Sequence, residues 1–276
     1  MKSCLLICMI AFGLVGQSKN SPKTLKSPID DSIGYFKSFD GTKIYYEKHG
    51  QGSPVLLIHG FTRSGDAMRK SGFYKNLLNN GFMAITVDLR GNGKSDKPHS
   101  DTAYAQDAEA KDLMGLISFL GISHYAVVGY SRGSIITARL LVLDRRITKA
   151  VMGGMGIDFS NPEWPRRIMF YKALRGDSVP ELAPLIKQIQ AEGLDQQALA
   201  MQQKEQPSTS LNELHAIQIP VLVIYGLQDS DNASAAELAR AIPGAVLDNV
   251  PGDHGGAFRS QEFSDHVIRF LNKAAR

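Results

Sequence analysis

The pentapeptide Gly129-Tyr130-Ser131-Arg132-Gly133 has the form G-x-S-x-G. It lies between a short apolar run, residues 125–128, and a stretch of helical spacing that begins at Gly133. A serine at such a strand-to-helix turn sits on a strained backbone, with its hydroxyl projecting beyond the sheet edge. Glycines two residues to either side remove side chains where the turn approaches other backbone. Ser134, Thr137 and Ala138 keep the following helix face small, so it can lie close to the sheet.

A serine hydroxyl is a poor nucleophile until a base takes its proton. Of the seven histidines, His254 is the best placed. Its loop, Pro251-Gly252-Asp253-His254-Gly255-Gly256, follows the last short strand and can carry an imidazole over the carboxyl ends of the strands. His266 falls inside the final helix, and His59 follows a strand but stands next to Gly60. The base in turn needs a carboxylate to set its tautomer and stabilise its cation. Asp229 lies just past the apolar run 221–225, on the same sheet edge as Ser131, with Asp231 as an alternative. Asp253 is adjacent to His254 and would point its side chain elsewhere. An oxyanion formed at Ser131 requires preorganised donors. Position selects the backbone N–H of Arg132, just after the nucleophile, and that of Phe61, in the loop after the strand 55–58.

These residues need a scaffold that converges several strand ends. The run 55–58 (VLLI) is apolar throughout, as suits a strand buried on both faces of a parallel sheet. Strands at 82–87, 125–129, 150–152, 221–225 and 245–247 alternate with helices at 105–120, 133–143, 233–241 and 258–271. Such alternation implies βαβ units and an α/β fold with a mostly parallel sheet and helices on both faces. Residues 35–39 and 43–47 flank Asp40-Gly41, a hairpin signal. The stretch 157–215 lacks apolar strand runs but has helical patterns near 182–192 and 196–204, which marks a small helical cap inserted into a core of residues 33–156 and 216–276.

The amino terminus reads differently. Lys2 precedes an apolar run over 5–15, and small or polar residues follow from Gly16 to Ser18, the order of a cleavable signal peptide spanning 1–18. The run is too short to cross a bilayer comfortably, so stable membrane insertion after cleavage is not expected. Residues 19–32 form a leader with two prolines and no apolar period. A secreted or periplasmic location is therefore expected. The only cysteines, Cys4 and Cys8, would leave with the signal, which removes a cysteine nucleophile and a thiolate metal site. The net charge of +4 comes from scattered basic residues, and no run suggests a nucleic-acid partner. Oligomeric state is not encoded in any pattern.

The motifs together resemble the α/β-hydrolase superfamily, in its branch of small cap-bearing serine esterases and lactonases. They are His59-Gly60-Phe61, Asp88-Leu89-Arg90-Gly91-Asn92-Gly93-Lys94-Ser95-Asp96-Lys97-Pro98, the pentapeptide around Ser131, Gly226-Leu227-Gln228-Asp229 and Asp253-His254-Gly255, and the likeness spans residues 33–274. The resemblance implies nucleophile Ser131, acid Asp229, base His254 and oxyanion donors Phe61 and Arg132, in the chain order this fold uses. It implies hydrolysis of a small ester-like substrate without a metal or organic cofactor. Three positions depart from the family pattern. Asn92 stands where histidine is usual, in a structural segment where little consequence is expected. Arg132 replaces a common methionine, leucine or glutamine, and should bond a loop carboxylate, or else steer an anionic substrate. Asp253 replaces the glycine before the histidine. Related dehalogenases and epoxide hydrolases carry aspartate at the position of Ser131, so those reactions are not expected. Two other readings stay open: a serine-dependent peptidase or carbon–carbon bond hydrolase, and a ligand sensor with negligible turnover.

Overall fold

The computed structural model describes residues 31–230 and 234–274. The proposed signal peptide and nearly all of the leader therefore lie outside the described residues, as does Asp231. Eight strands form one sheet: β1 (Ser32–Lys37), β2 (Lys43–His49), β3 (Ser53–Ile58), β4 (Phe82–Val87), β5 (Tyr125–Tyr130), β6 (Ile147–Gly153), β7 (Val221–Gly226) and β8 (Val246–Val250). Their order is β1-β2-β4-β3-β5-β6-β7-β8. Strands β1 and β2 pair antiparallel, as do β2 and β4, and every later pairing is parallel.

Apolar runs become central strands because both faces of the sheet are covered. In β3, Leu56 and Ile58 point into one core cluster with the helices Ala108–Phe119 and Arg132–Leu143. Val55 and Leu57 point into the other, with the helices Gly72–Asn79 and Gln261–Asn272. All four side chains are fully buried. The α/β architecture read from the sequence is thus the one observed. The β1–β2 hairpin turns through Gly41 at φ 88°, while the Asp40 carboxylate accepts the Thr42 N–H.

Some elements differ from the sequence expectation. The stretch 258–271 is not one helix: a short helix, His254–Arg259, stops at Ser260, whose hydroxyl then caps the next helix by accepting the Phe263 N–H. An N-cap residue has non-helical backbone, so Ser260 divides the stretch. Helices at Gly65–Arg69, Gly72–Asn79 and Pro165–Leu174 add to those expected, and Gly72–Asn79 buries Phe73, Tyr74 and Leu77 at helical spacing.

Between β6 and β7 the chain runs through the helices Pro165–Leu174, Ala183–Ala191, Gln196–Lys204 and Leu211–His215. Leu174, Ile189, Leu199 and Ala200 close a separate small core, and Phe61 packs against it from the β3 loop. This unit is attached to the sheet by buried polar groups as well as by apolar contact.

Candidate active site

Ser131 leaves β5 on an unusual backbone, with φ 56° and ψ −124°. Only a tightly constrained turn holds a non-glycine residue there. Its N–H donates to the Gly153 carbonyl of β6 at 2.8 Å, and the Ser134 N–H returns to its own carbonyl at 2.8 Å. The flanking glycines are sterically required. A Cβ on Gly129 would lie 2.3 Å from the Gly133 carbonyl oxygen, and one on Gly133 would lie 2.2 Å from that of Ile58. Close packing of β3, β5 and the helix Arg132–Leu143 is what turns the serine outward.

His254 is the first residue of its short helix, not part of a flexible turn. Asp253 caps that helix, its Oδ1 accepting the Gly256 N–H at 2.6 Å, which accounts for an acid before the histidine. The imidazole Nε2 is 2.9 Å from the Ser131 Oγ, and its Nδ1 is 2.8 Å from the Asp229 Oδ2. The Asp229 side chain is wholly buried, whereas the imidazole is about one-third exposed, at 32%. The three candidates thus form one hydrogen-bonded line from a sequestered carboxylate to a hydroxyl at the cleft.

Tyr130 was not singled out from the sequence. Its hydroxyl donates to the His254 carbonyl at 2.6 Å, and its ring stands 5.4 Å from the imidazole. Burial pushes the Tyr130 phenol well above its ordinary pKa, so it stays a donor.

The loop after β3 lies against the serine: a Cβ on Gly60 would come within 3.3 Å of the Ser131 Cβ. Arg132 opens the helix, where first-turn N–H groups have no intrahelical partner. His59 is buried behind the loop, with Nδ1 2.7 Å from the Gly60 carbonyl and Nε2 accepting the Leu89 N–H at 3.1 Å. Burial lowers its pKa, so it is a neutral structural group.

Arg132 and Asn92 have clear roles in this packing. The Arg132 guanidinium meets the buried Glu109 carboxylate through two bonds of 2.7 and 2.5 Å, and also donates to the Gln202 carbonyl. Glu109 sits in the first turn of a helix, not in a loop. Asn92 is more consequential than its segment suggested. Its Nδ2 donates to the Phe61 carbonyl at 2.8 Å, and its Oδ1 accepts from the Gln202 Nε2 at 2.5 Å. Gln202 also donates to the Arg90 carbonyl. A buried amide pair therefore ties the helix Gln196–Lys204 to the β3 loop. The rest of the segment is structural as expected, with Asp88 accepting the Gly65 and Lys94 N–H groups at 2.7 Å each.

Two clefts meet at Ser131 and His254, one of about 90 Å³ beneath the helix Pro165–Leu174 and one of about 500 Å³ beside the β3 loop. Phe61 lines both, and its ring meets Phe170 edge-on at 5.9 Å. Among the described residues, no group of three or more His, Cys, Asp or Glu side chains is placed to hold a metal ion.

A family model described as the alpha/beta hydrolase fold matches residues 53–182. The chain is 29% identical, over 76% of its own length and 87% of the relative's, to a putative non-heme chloroperoxidase from Synechocystis sp.. It is also 38% identical to epoxide hydrolase 3 of Siraitia grosvenorii, but over only 30% of that protein. Among solved structures, an esterase from Exiguobacterium antarcticum superposes with a TM-score of 0.72 at 21% identity, covering 87% of this chain and 99% of that one. The enol-lactonase from Burkholderia xenovorans LB400 gives 0.70 at 21% identity, covering 87% and 100%. With its sheet order and these matches, the chain has the α/β-hydrolase fold and is similar to proteins of that superfamily.

Proposed function

We propose that the protein is a serine hydrolase that cleaves carboxylic esters or lactones. The observation that carries this reading is the line of two hydrogen bonds, 2.8 and 2.9 Å, joining Asp229 to His254 and His254 to Ser131. His254 takes the Ser131 proton as Oγ attacks the carbonyl carbon. The oxyanion is received by the backbone N–H groups of Phe61 and Arg132. The tetrahedral intermediate collapses to an acyl-serine, and His254 returns the proton to the departing alcohol. It then deprotonates water, which releases the acid and restores Ser131. Asp229 holds Nδ1 protonated and stabilises the imidazolium. A serine at position 131 favours this chemistry over the epoxide opening named for some relatives.

Fluorophosphonate labelling and p-nitrophenyl butyrate hydrolysis test the reading together. Ser131→Ala should abolish labelling and lower kcat by about 10³-fold or more while leaving the fold intact. Labelling that persists in the variant would exclude Ser131 as the nucleophile.

The chloroperoxidase match, and a bromoperoxidase structure from Bacillus anthracis at 26% identity and TM-score 0.69, favour one further possibility. Hydrogen peroxide would replace water as acyl acceptor and release a peracid. Peroxide-dependent peracid formation from acetate is the measurement that decides it. We also propose that residues 1–18 are an export signal, on their charge and apolar order alone. A protein isolated from its source cell with Met1 still in place would refute that.

A further inference from the structure

Ser131 stands where two clefts of very different size meet, about 90 Å³ beneath the helix Pro165–Leu174 and about 500 Å³ beside the β3 loop. The small cleft is bounded by Ile135 and Met155 on the core side and by Trp164 and Phe170 on the side of the inserted unit. Ile135 and Met155 are buried members of the main core, and Phe170 meets Phe61 edge-on. Walls packed in this way have little room to retreat. An apolar cavity of about 150 Å³ holds one benzene ring, so the small cleft has room for roughly three carbons beyond a carbonyl held at Ser131. The large cleft has an apolar wall of Met68, Tyr130 and Phe258. By the same measure it takes a group of roughly ten or more carbons.

The proton path decides which half of an ester enters which cleft. His254 must return its proton to the departing oxygen, so the alcohol lies on the histidine's side of Ser131. The large cleft runs along the helix His254–Arg259, with Gly255 and Phe258 in its wall. The small cleft instead follows the helix that begins at Arg132, with Ile135 one turn on. That leaves the acyl chain to the small cleft.

We propose that the substrate is an open-chain ester of a short acid and a bulky alcohol, with an acyl group of up to about four carbons beneath the helix Pro165–Leu174 and the alcohol in the cleft beside the β3 loop. This inference rests on the serine-hydrolase reading and narrows its substrate class.

Isomeric esters test it, because they place the same atoms on opposite sides of the carbonyl. Hexyl acetate and ethyl hexanoate form one pair, and benzyl acetate and methyl phenylacetate another, with similar leaving alcohols within each. Hydrolysis is followed by pH-stat titration. A hexanoyl chain has about two carbons more than the small cleft holds, and each buried methylene is worth roughly fourfold. The expected kcat/KM therefore favours hexyl acetate by at least about tenfold, and benzyl acetate over its isomer in the same sense. Phe170→Ala enlarges the small cleft and should raise kcat/KM for ethyl hexanoate several-fold. Ala67 lines the large cleft, and Ala67→Leu should lower kcat/KM for hexyl acetate several-fold. If one variant is poorly folded, the other and the native ratios still decide the matter. A ratio near one or reversed in either pair would overturn the proposal, as would a preference that neither variant moves. Fluorophosphonate labelling in the same preparation separates the two levels. Labelling without this preference refutes only the substrate class, whereas no labelling and no hydrolysis removes the serine-hydrolase reading and this inference with it.

Discussion

At Ser131 the geometry is set by what its neighbours lack. A φ of 56° at a non-glycine residue costs on the order of 1–3 kcal/mol, which the surrounding packing must offset. Gly133 is one of the residues that allows this, since any Cβ there would strike the Ile58 carbonyl at the end of β3. Gly133→Ala should therefore destabilise the protein by about 3 kcal/mol, measured by urea unfolding, and blunt fluorophosphonate labelling in the remaining folded fraction. Asp229→Asn separates charge from shape. The amide would present a donor where the His254 Nδ1–H needs an acceptor, which favours the wrong tautomer. The expected outcome is a kcat lower by about 10³- to 10⁴-fold at nearly unchanged stability, and a native kcat would remove Asp229 from the mechanism.

At the level of elements, the site is held by polar joints between helices that periodicity alone would not pair. Arg132 and Glu109, each 3% exposed, join the helix after the serine to the helix Ala108–Phe119. Removing one partner leaves a buried charge, so Arg132→Met should cost about 3–5 kcal/mol. Adding Glu109→Leu should recover most of that loss. A double-mutant cycle with no recovery would show that the pair is not the stabilising unit. Gln202, fully buried, joins the helix Gln196–Lys204 to Asn92 and, through it, to the Phe61 carbonyl. Gln202→Leu leaves the Asn92 Oδ1 and the Arg90 carbonyl without this donor and should cost about 2 kcal/mol. The single tryptophan, Trp164, lies in the same inserted unit. Its fluorescence should then change at lower urea than the far-ultraviolet circular dichroism. Coincident transitions would mean that this joint does not hold the unit in place.

For the molecule as a whole, the sheet buries ionisable groups whose titration sets acid stability. Burial depresses the pKa of His59 below the ordinary 6.5, so between the folded and unfolded values only the unfolded chain binds that proton. Stability from neutral His59 is thus present above about pH 6.5 and declines as pH falls below it, by at most about 1.4 kcal/mol per pH unit. Hydrogen bonds from Arg90 to Asp40, and from Arg146 to Asp144, hold those carboxyls below the ordinary 3.8, so their contribution is lost only at lower pH. Urea midpoints at pH 7 and 5 should therefore differ more for the native chain than for His59→Gln, which is neutral throughout. An equal loss in both would show that His59 does not govern this range.

Local pattern was enough for much of this protein. Apolar runs such as Val55–Ile58 can be buried only by covering both faces of a sheet, and alternation with helices then forces parallel neighbours. The glycine-flanked Ser131, and the chain order of Asp229 and His254 behind it, were also legible, because each follows a strand end. Tertiary structure decided what depends on residues far apart in sequence. Tyr130 bonding to the His254 carbonyl, Glu109 meeting Arg132, and Gln202 reaching Asn92 across 110 residues leave no periodic trace. Nor does any motif encode how the helix Pro165–Leu174 brings Arg166 and Arg167 to the cleft at Ser131. Secondary structure follows from short-range sterics and burial, whereas polar joints and cleft walls exist only after distant elements have packed.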